Sequence, residues 1–253
     1  MHAAERRQYE ALLRQGRWFG DLPEELQDAI LDRSTVRSYA RGAMIVLQGS
    51  SPEALFAVLG GQVAIERWAT PDQPVLIDVA APGTWFGEVA LLLHTTNAAE
   101  VKTDLEAEAR TDARILALPL AAYEDLIEER PSHYRWFARL ALERYDMCLR
   151  SETESRVLSA EELLTARLAD LADTKHHHGL WDRSTVLELT QTDVAALTGL
   201  SRQTVNAELH RLEQLGLVEL AFRQIRVADV EKLRAQVGSA NGEHRRDRSA
   251  ASR

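Results

Sequence analysis

The chain has one cysteine, Cys148, in 253 residues. That excludes an intrachain disulfide and any iron–sulfur cluster held by several cysteines of one chain. No run approaches the roughly 18 apolar residues of a spanning helix. The charged first fifteen residues lack the apolar core of a secretory signal, so a cytoplasmic protein with no membrane partner is expected. Also missing are a P-loop, a nucleophile–base pair and a Cys/His cluster at metal spacing, so an enzyme is not expected. His176, His177 and His178 adjoin in a polar segment, Asp173–Gly179, and three neighbouring loop residues do not converge on one ion. Basic residues are in deficit. The net charge is −9, which at first sight disfavours nucleic acid as a partner.

What is present is enough apolar residue, 45%, to exclude wholesale disorder, and a length that suggests two domains. Leu12 to Ile30 reads as short helices, with Asp21 as a cap, Pro23 near the first helical position, and Leu22, Leu26 and Ile30 on one face. Short β-rich runs follow at Met44–Leu47, Leu55–Leu59, Val63–Arg67, Val75–Val79 and Ile115–Leu118, punctuated by glycine and proline. Their even spacing predicts an antiparallel roll or barrel. After Pro119 the pattern is helical. Leu120–Glu129 forms one helix, and Pro131 opens a long one reaching about Ser155. Phe137, Leu140, Arg144 and Met147 follow a 3,4,3 spacing on it, which suggests a dimer seam. Cys148 on the same helix is expected to pack in a core. Ala160–Ala172 is a further helix with Leu163, Leu164, Leu168 and Leu171 inward.

The most specific pattern is Thr190 to Val227. Thr190-Gln191-Thr192-Asp193 has capping-box form, with Asp in place of Glu or Gln, before a helix over Thr192–Thr198. Gly199 sits where a left-handed residue fits, and Ser201 caps a second helix, Arg202–Leu215. Val205, Leu209, Leu212 and Leu215 form its apolar stripe. Leu217–Leu220 and Ile225–Val227 read as a hairpin wing. This is a winged helix-turn-helix. Arg202, Gln203 and Asn206 at the start of the second helix suit base edges in a major groove. Thr190, Gln191, Ser201, Thr204 and Arg223 are candidate DNA contacts beside them.

At this point the chain resembles the CRP/FNR superfamily of transcription regulators. The carriers are Tyr39-Ala40-Arg41-Gly42, Gln48-Gly49, Leu55 to Val63, Ala81-Pro82-Gly83-Thr84-Trp85-Phe86-Gly87-Glu88, and Leu189–Leu220. The resemblance implies an α+β chain: an N-terminal antiparallel, jelly-roll-like β-roll with its preceding helices over residues 1–118, a connecting and long dimerisation helix over 119–156, and a winged helix-turn-helix over 157–237. A basic tail, expected to be disordered, follows over 238–253. It also implies a homodimer on a pseudo-palindromic double-stranded DNA operator, with RNA polymerase as a further partner. Arg202 matches the family's guanine-reading arginine. Gln203 stands where glutamate is common, and Ala207 where the cAMP receptor has a second arginine.

In cyclic-nucleotide binders of this family a Gly-Glu pair holds the ribose and an Arg-Ser pair the phosphate. Gly87-Glu88 matches the first, but Thr103-Asp104 stands at the second, with Lys102 the nearest cation. The candidate effector pocket is Trp85, Gly87, Glu88, Lys102, Thr103 and Asp104. Asp104 would repel a phosphate, so cAMP is disfavoured as effector. Haem through His94, which follows Leu91-Leu92-Leu93, is a lesser option. No cofactor is assigned. The leading expectation is a regulator controlled by another small molecule or by none. The alternative is a ligand-binding interaction module with degenerate DNA binding.

The distribution of charge qualifies its total. Asn97–Arg130 carries nine acids against four bases, net −5, whereas Gly199–Val227 is +1 and the tail after Val237 is +2. Acid gathers on the sensor side and spares the DNA side.

Overall fold

The computed structural model describes residues 3–70, 73–94, 101–176 and 185–237. The chain divides into two units, 1–148 and 149–253.

Three helices open the first unit: α1 (Ala3–Gln15), α2 (Arg17–Gly20) and α3 (Glu24–Arg33). Eight strands follow: β1 (Thr35–Tyr39), β2 (Met44–Val46), β3 (Ala54–Gly60), β4 (Val63–Thr70), β5 (Gln73–Ala80), β6 (Trp85–Phe86), β7 (Glu106–Ala109) and β8 (Ala113–Pro119). Between β6 and β7 lies α4 (Glu88–His94), and after β8 come α5 (Leu120–Glu129) and α6 (Tyr134–Val157). The strands form two four-stranded antiparallel sheets, ordered β1-β8-β3-β6 and β2-β7-β4-β5.

The alternation of side chains along a strand explains why β3 is apolar throughout. Ala54, Phe56 and Val58 meet Val63, Ile65, Ala107 and Ala109 of the other sheet. Leu55, Ala57 and Leu59 point the other way, into a second core with Leu13, Leu26, Ile30, Tyr123 and Phe137 of the helices. β3 and β8 are thus buried on both faces. Two of the strands missed by pattern have the opposite character. β7 reads Glu-Ala-Glu-Ala, with alanines inward and glutamates out, and alanine is a weak strand former. β1 is mostly exposed.

Several local expectations need correction. Asp21 does not cap the start of α3, whose N-cap is Pro23 with no side-chain cap bond; it is the C-cap of α2, and its carboxylate accepts from Arg139 at 2.6 Å. The Phe137–Leu140–Arg144–Met147 stripe exists, but Phe137, Leu140 and Arg144 turn toward the chain's own unit, while Met147 stays exposed. Phe137 and Leu140 are 1% and 7% exposed in the helical core, because Trp18 and Tyr123 supply aromatic partners at 5.7 and 4.7 Å from Phe137. Cys148, expected in a core, is exposed.

In the second unit α7 (Ala160–His176) runs four residues past the expected end, and His177 and His178 lie outside the described residues, as does the tail 238–253. β9 (Thr185–Leu187), α8 (Gln191–Thr198), α9 (Arg202–Gln214), β10 (Val218–Ala221) and β11 (Gln224–Val227) complete it. β9 pairs with β11, so the wing is three-stranded, ordered β10-β11-β9. Val205, Leu209 and Leu212 are buried, but Leu215 is 53% exposed, because it is the C-cap of α9 and no longer follows the buried stripe.

Phe137→Ala is expected to cost about 3–5 kcal/mol, since it empties a sealed aromatic contact. Cys148→Ser on the exposed side of the same helix should stay within about 0.5 kcal/mol. Denaturant unfolding followed by tryptophan fluorescence compares the two.

Candidate DNA-reading face and effector site

The turn between α8 and α9 is built by caps. The Thr190 side chain accepts from the Asp193 N–H, and Asp193 accepts from the Thr190 N–H at 2.7 Å, so the capping box is complete with Asp in its last place. Gly199 has φ +70°, a left-handed conformation that suits glycine, and nothing within 4 Å would oppose a Cβ there. Conformation, not space, selects it. Ser201 accepts from the Thr204 N–H at 3.1 Å, and the two hydroxyls lie 2.8 Å apart. Thr190 and Ser201 are therefore already engaged as caps, and the Thr204 hydroxyl is bonded to that of Ser201.

The remaining candidates fall into two kinds. Arg202, Gln203 and Arg223 are exposed, with no side-chain partner among the described residues. Gln191 and Asn206 are bonded to each other: the Gln191 Nε2 donates to Asn206 Oδ1 at 2.8 Å across the two helices. That leaves the Asn206 amide N–H groups for an acceptor on a base edge. The other two arginines of this region are neutralised locally. Arg211 pairs with Glu208 and Glu161 at 2.9 and 2.5 Å, and Arg226 with Glu219 across the hairpin at 3.4 Å.

The β-roll site is organised differently from its sequence prediction. Gly87 has φ +94°, and a Cβ there would meet the Ala54 carbonyl oxygen at 3.0 Å. This tight approach starts α4 and buries Glu88 to 5% exposure. Its partner comes from α6. Arg144 donates to Asp78 Oδ2 at 2.9 Å and to the Trp85 carbonyl at 2.8 Å, and its Nε lies 3.6 Å from Glu88. Burial pushes the Glu88 carboxyl above its usual range, and Arg144 opposes that only in part. Burial also works against the Arg144 charge, but Asp78 and Glu88 outweigh it and hold the guanidinium above its ordinary value.

Trp85 itself is a core residue, with its ring 5.0 Å from Trp18 and stacked at 5.5 Å on Phe19, so only its carbonyl serves this cluster. Lys102, Thr103 and Asp104 are engaged elsewhere. Lys102 donates to Ser51 at 3.1 Å, Thr103 donates to the Leu47 carbonyl at 2.7 Å, and Asp104 pairs with Arg67 at 2.6 Å. His94 closes α4 with Nδ1 3.7 Å from Glu124. Among the described residues no group of three or more His, Cys, Asp or Glu side chains is placed to hold a metal ion. Neither Asp78 nor the inward aim of Arg144 is marked by a sequence motif. The available signal was a lone aspartate inside the apolar run of β5.

Two family descriptions match the chain: a cyclic nucleotide-binding domain over residues 36–130 and a Crp-like helix-turn-helix domain over residues 164–236. The cyclic AMP receptor protein of Thermus thermophilus is 30% identical over 222 residues, covering 85% of this chain and 93% of that protein. The chain belongs to the CRP/FNR superfamily of transcription regulators. This CRP-family regulator is also 25% identical, over 77% of its length and 84% of the relative's, to the CRP-like cAMP-activated global transcriptional regulator of Mycobacterium tuberculosis. In fold it is similar to FixK2 from Bradyrhizobium japonicum, with TM-score 0.66 at 18% identity over 79% of this chain and 95% of that one. The c-di-GMP responsive global regulator CLP of Xanthomonas campestris gives 0.62 at 17% over 82% and 99%. Among the described residues no helix is long and apolar enough to cross a membrane.

Because the folded state raises the Glu88 pKa, it holds that proton more tightly than the unfolded chain. This contribution is full below the ordinary carboxylate range and is lost as pH rises through the raised folded value. Stability curves of wild type and Glu88→Gln over a pH series should show it, with wild type losing ground as pH rises. Arg144→Met leaves Asp78 and Glu88 without their cation. It should cost about 3 kcal/mol, the low end for breaking a buried pair, since water reaches part of the site.

Proposed function

We propose that this CRP-family regulator acts as a homodimer that reads a pseudo-palindromic operator, and that its β-roll takes a small molecule other than cAMP or works with none. The observation that carries the DNA reading is the capped turn that leaves Arg202 and Gln203 exposed at the start of α9 with no acidic partner among the described residues. An arginine so placed donates two hydrogen bonds to guanine O6 and N7. RNA polymerase is the further partner the family suggests.

For the dimer, the support is the face of α6 that its own unit leaves uncovered. Leu142 and Tyr145 are 65% and 61% exposed on a face separate from Phe137 and Leu140, with the half-buried Ala138 one turn before them. The 4,3 spacing of Ala138, Leu142 and Tyr145 suits pairing with a second copy of the helix. For the effector, two relatives are named for cAMP, but by the resemblance Thr103 and Asp104 correspond to the family's phosphate-binding pair, and both are already engaged. Glu88 likewise already has Arg144 beside it.

Selection of bound fragments from genomic DNA tests the first claim. A common pseudo-palindrome is expected. Arg202→Ala should cost roughly 1–3 kcal/mol and relax preference at one base pair of each half-site. Binding indifferent to sequence would overturn the reading in favour of an interaction module with degenerate DNA binding. For the dimer, Leu142→Glu and Tyr145→Glu are expected to give monomers by light scattering, and Met147→Glu, on the other face, to leave the dimer intact.

A further inference from the structure

The most exposed large apolar side chain described in the protein is Phe222, at 90%. It occupies the tip of the wing. Ala221 pairs with Gln224, so Phe222 and Arg223 are the two turn residues of a tight hairpin. Arg223 has φ +58°, the one positive-φ residue other than glycine among those described. Glycine or asparagine would adopt that conformation with less strain. The turn thus keeps a cation at a backbone cost, beside an aromatic ring that contributes nothing to either core.

The arm that carries this tip is fixed. Val218, Ile225 and Val227 are buried beneath it, and the Leu220 N–H donates to Glu213 Oε1 of α9 at 3.0 Å. The recognition helix and the wing are therefore tied together by a side chain of the helix itself. Around the tip the chemistry is sparse. Ala221 and Gln224 are small or polar, Arg223 has no acidic partner among the described residues, and Arg226 is held by Glu219. A surface for docking a protein would continue into an apolar patch of some hundreds of Å². One bare ring next to one free guanidinium suits a nucleic-acid groove instead, where the cation meets phosphate or a narrow minor groove and the ring meets the sugars and base faces.

We propose that Phe222 is a wedge that enters the minor groove beside each half-site and opens a base step there, with Arg223 holding the adjoining phosphate or groove wall, so that the wing bends the operator flank. This rests on the DNA-reading function proposed above. It adds a contact that senses deformability, not base identity, outside the sequence read by α9.

The test uses the intact chain and a selected operator carrying 2-aminopurine at successive flanking steps, with donor and acceptor dyes at the duplex ends. Wild type should raise the 2-aminopurine signal at one flank step per half-site and shorten the end-to-end distance. Phe222→Ala should abolish both and lower affinity roughly 5- to 50-fold, with the α9-read bases unchanged. Phe222→Trp should retain them. Arg223→Ala should reduce the slope of log affinity against log salt by about one per wing. Far-UV circular dichroism confirms that the variants fold, which the exposure of Phe222 favours. Equal affinity and equal bend in wild type and Phe222→Ala would overturn the proposal. So would a Phe222→Ala protein that binds DNA normally and fails only in transcription with polymerase, which would make the tip a protein contact. If wild type selects no sequence at all, the DNA-reading function itself falls, a result distinct from either of these.

Discussion

One guanidinium determines how the long helix meets the β-roll. Arg144 reaches from α6 to Asp78, to the Trp85 carbonyl and to the neighbourhood of Glu88. Taking a charge out of water costs several kcal/mol, and only such a set of acceptors offsets it. The contact therefore has few alternatives, and it fixes the rotation of the helix about its axis. Phe137 and Leu140, on the same side, fall into the aromatic core, and Leu142 and Tyr145 are left outward. The proposed dimer face is thus a consequence of where one arginine finds its partners. The proposed effector site and the orientation of the helix share these contacts.

The DNA-reading end follows a similar logic with opposite charge. A chain of net charge −9 is a poor general ligand for a polyanion. Here local pairing sorts its cations. Arg211 and Arg226 are held by glutamates, while Arg202 and Arg223 remain without acidic partners among the described residues. One lies at the start of α9 and the other at the wing tip. In the proposed reading, attraction to DNA is concentrated at these two points, which favours selectivity over tight non-specific binding.

Much of this was legible in the sequence. The capping box, Gly199 and the Val205–Leu209–Leu212 stripe use short-range chemistry, which a linear pattern records directly. β3 and its neighbours were found because strands buried on both faces are apolar throughout. What escaped depended on partners distant in the chain. β7 hides behind alanines whose inward aim is set by another sheet. The spacing of Phe137, Leu140, Arg144 and Met147 marks a stripe, but periodicity does not say which of its residues face their own unit and which are left for a second copy. Asp78 and Arg144 are 66 residues apart, and nothing local marks them as partners. Adjacency to Gly87-Glu88 suggests a pocket residue at Trp85, whereas its ring alternates to the other face and joins the helical core.

The relatives from Thermus thermophilus and Mycobacterium tuberculosis are both named for cAMP. In this chain the carboxylate at the expected ribose position has a resident cation, and the expected phosphate position holds Thr103 and an Asp104 already paired with Arg67. The most direct test of a cAMP-independent regulator is an anisotropy titration of the intact chain onto its selected operator, without cAMP and with cAMP at millimolar concentration. A regulator that does not respond to cAMP gives dissociation constants equal within about twofold. Binding that appears, or tightens by roughly tenfold or more, only when cAMP is added would contradict that reading.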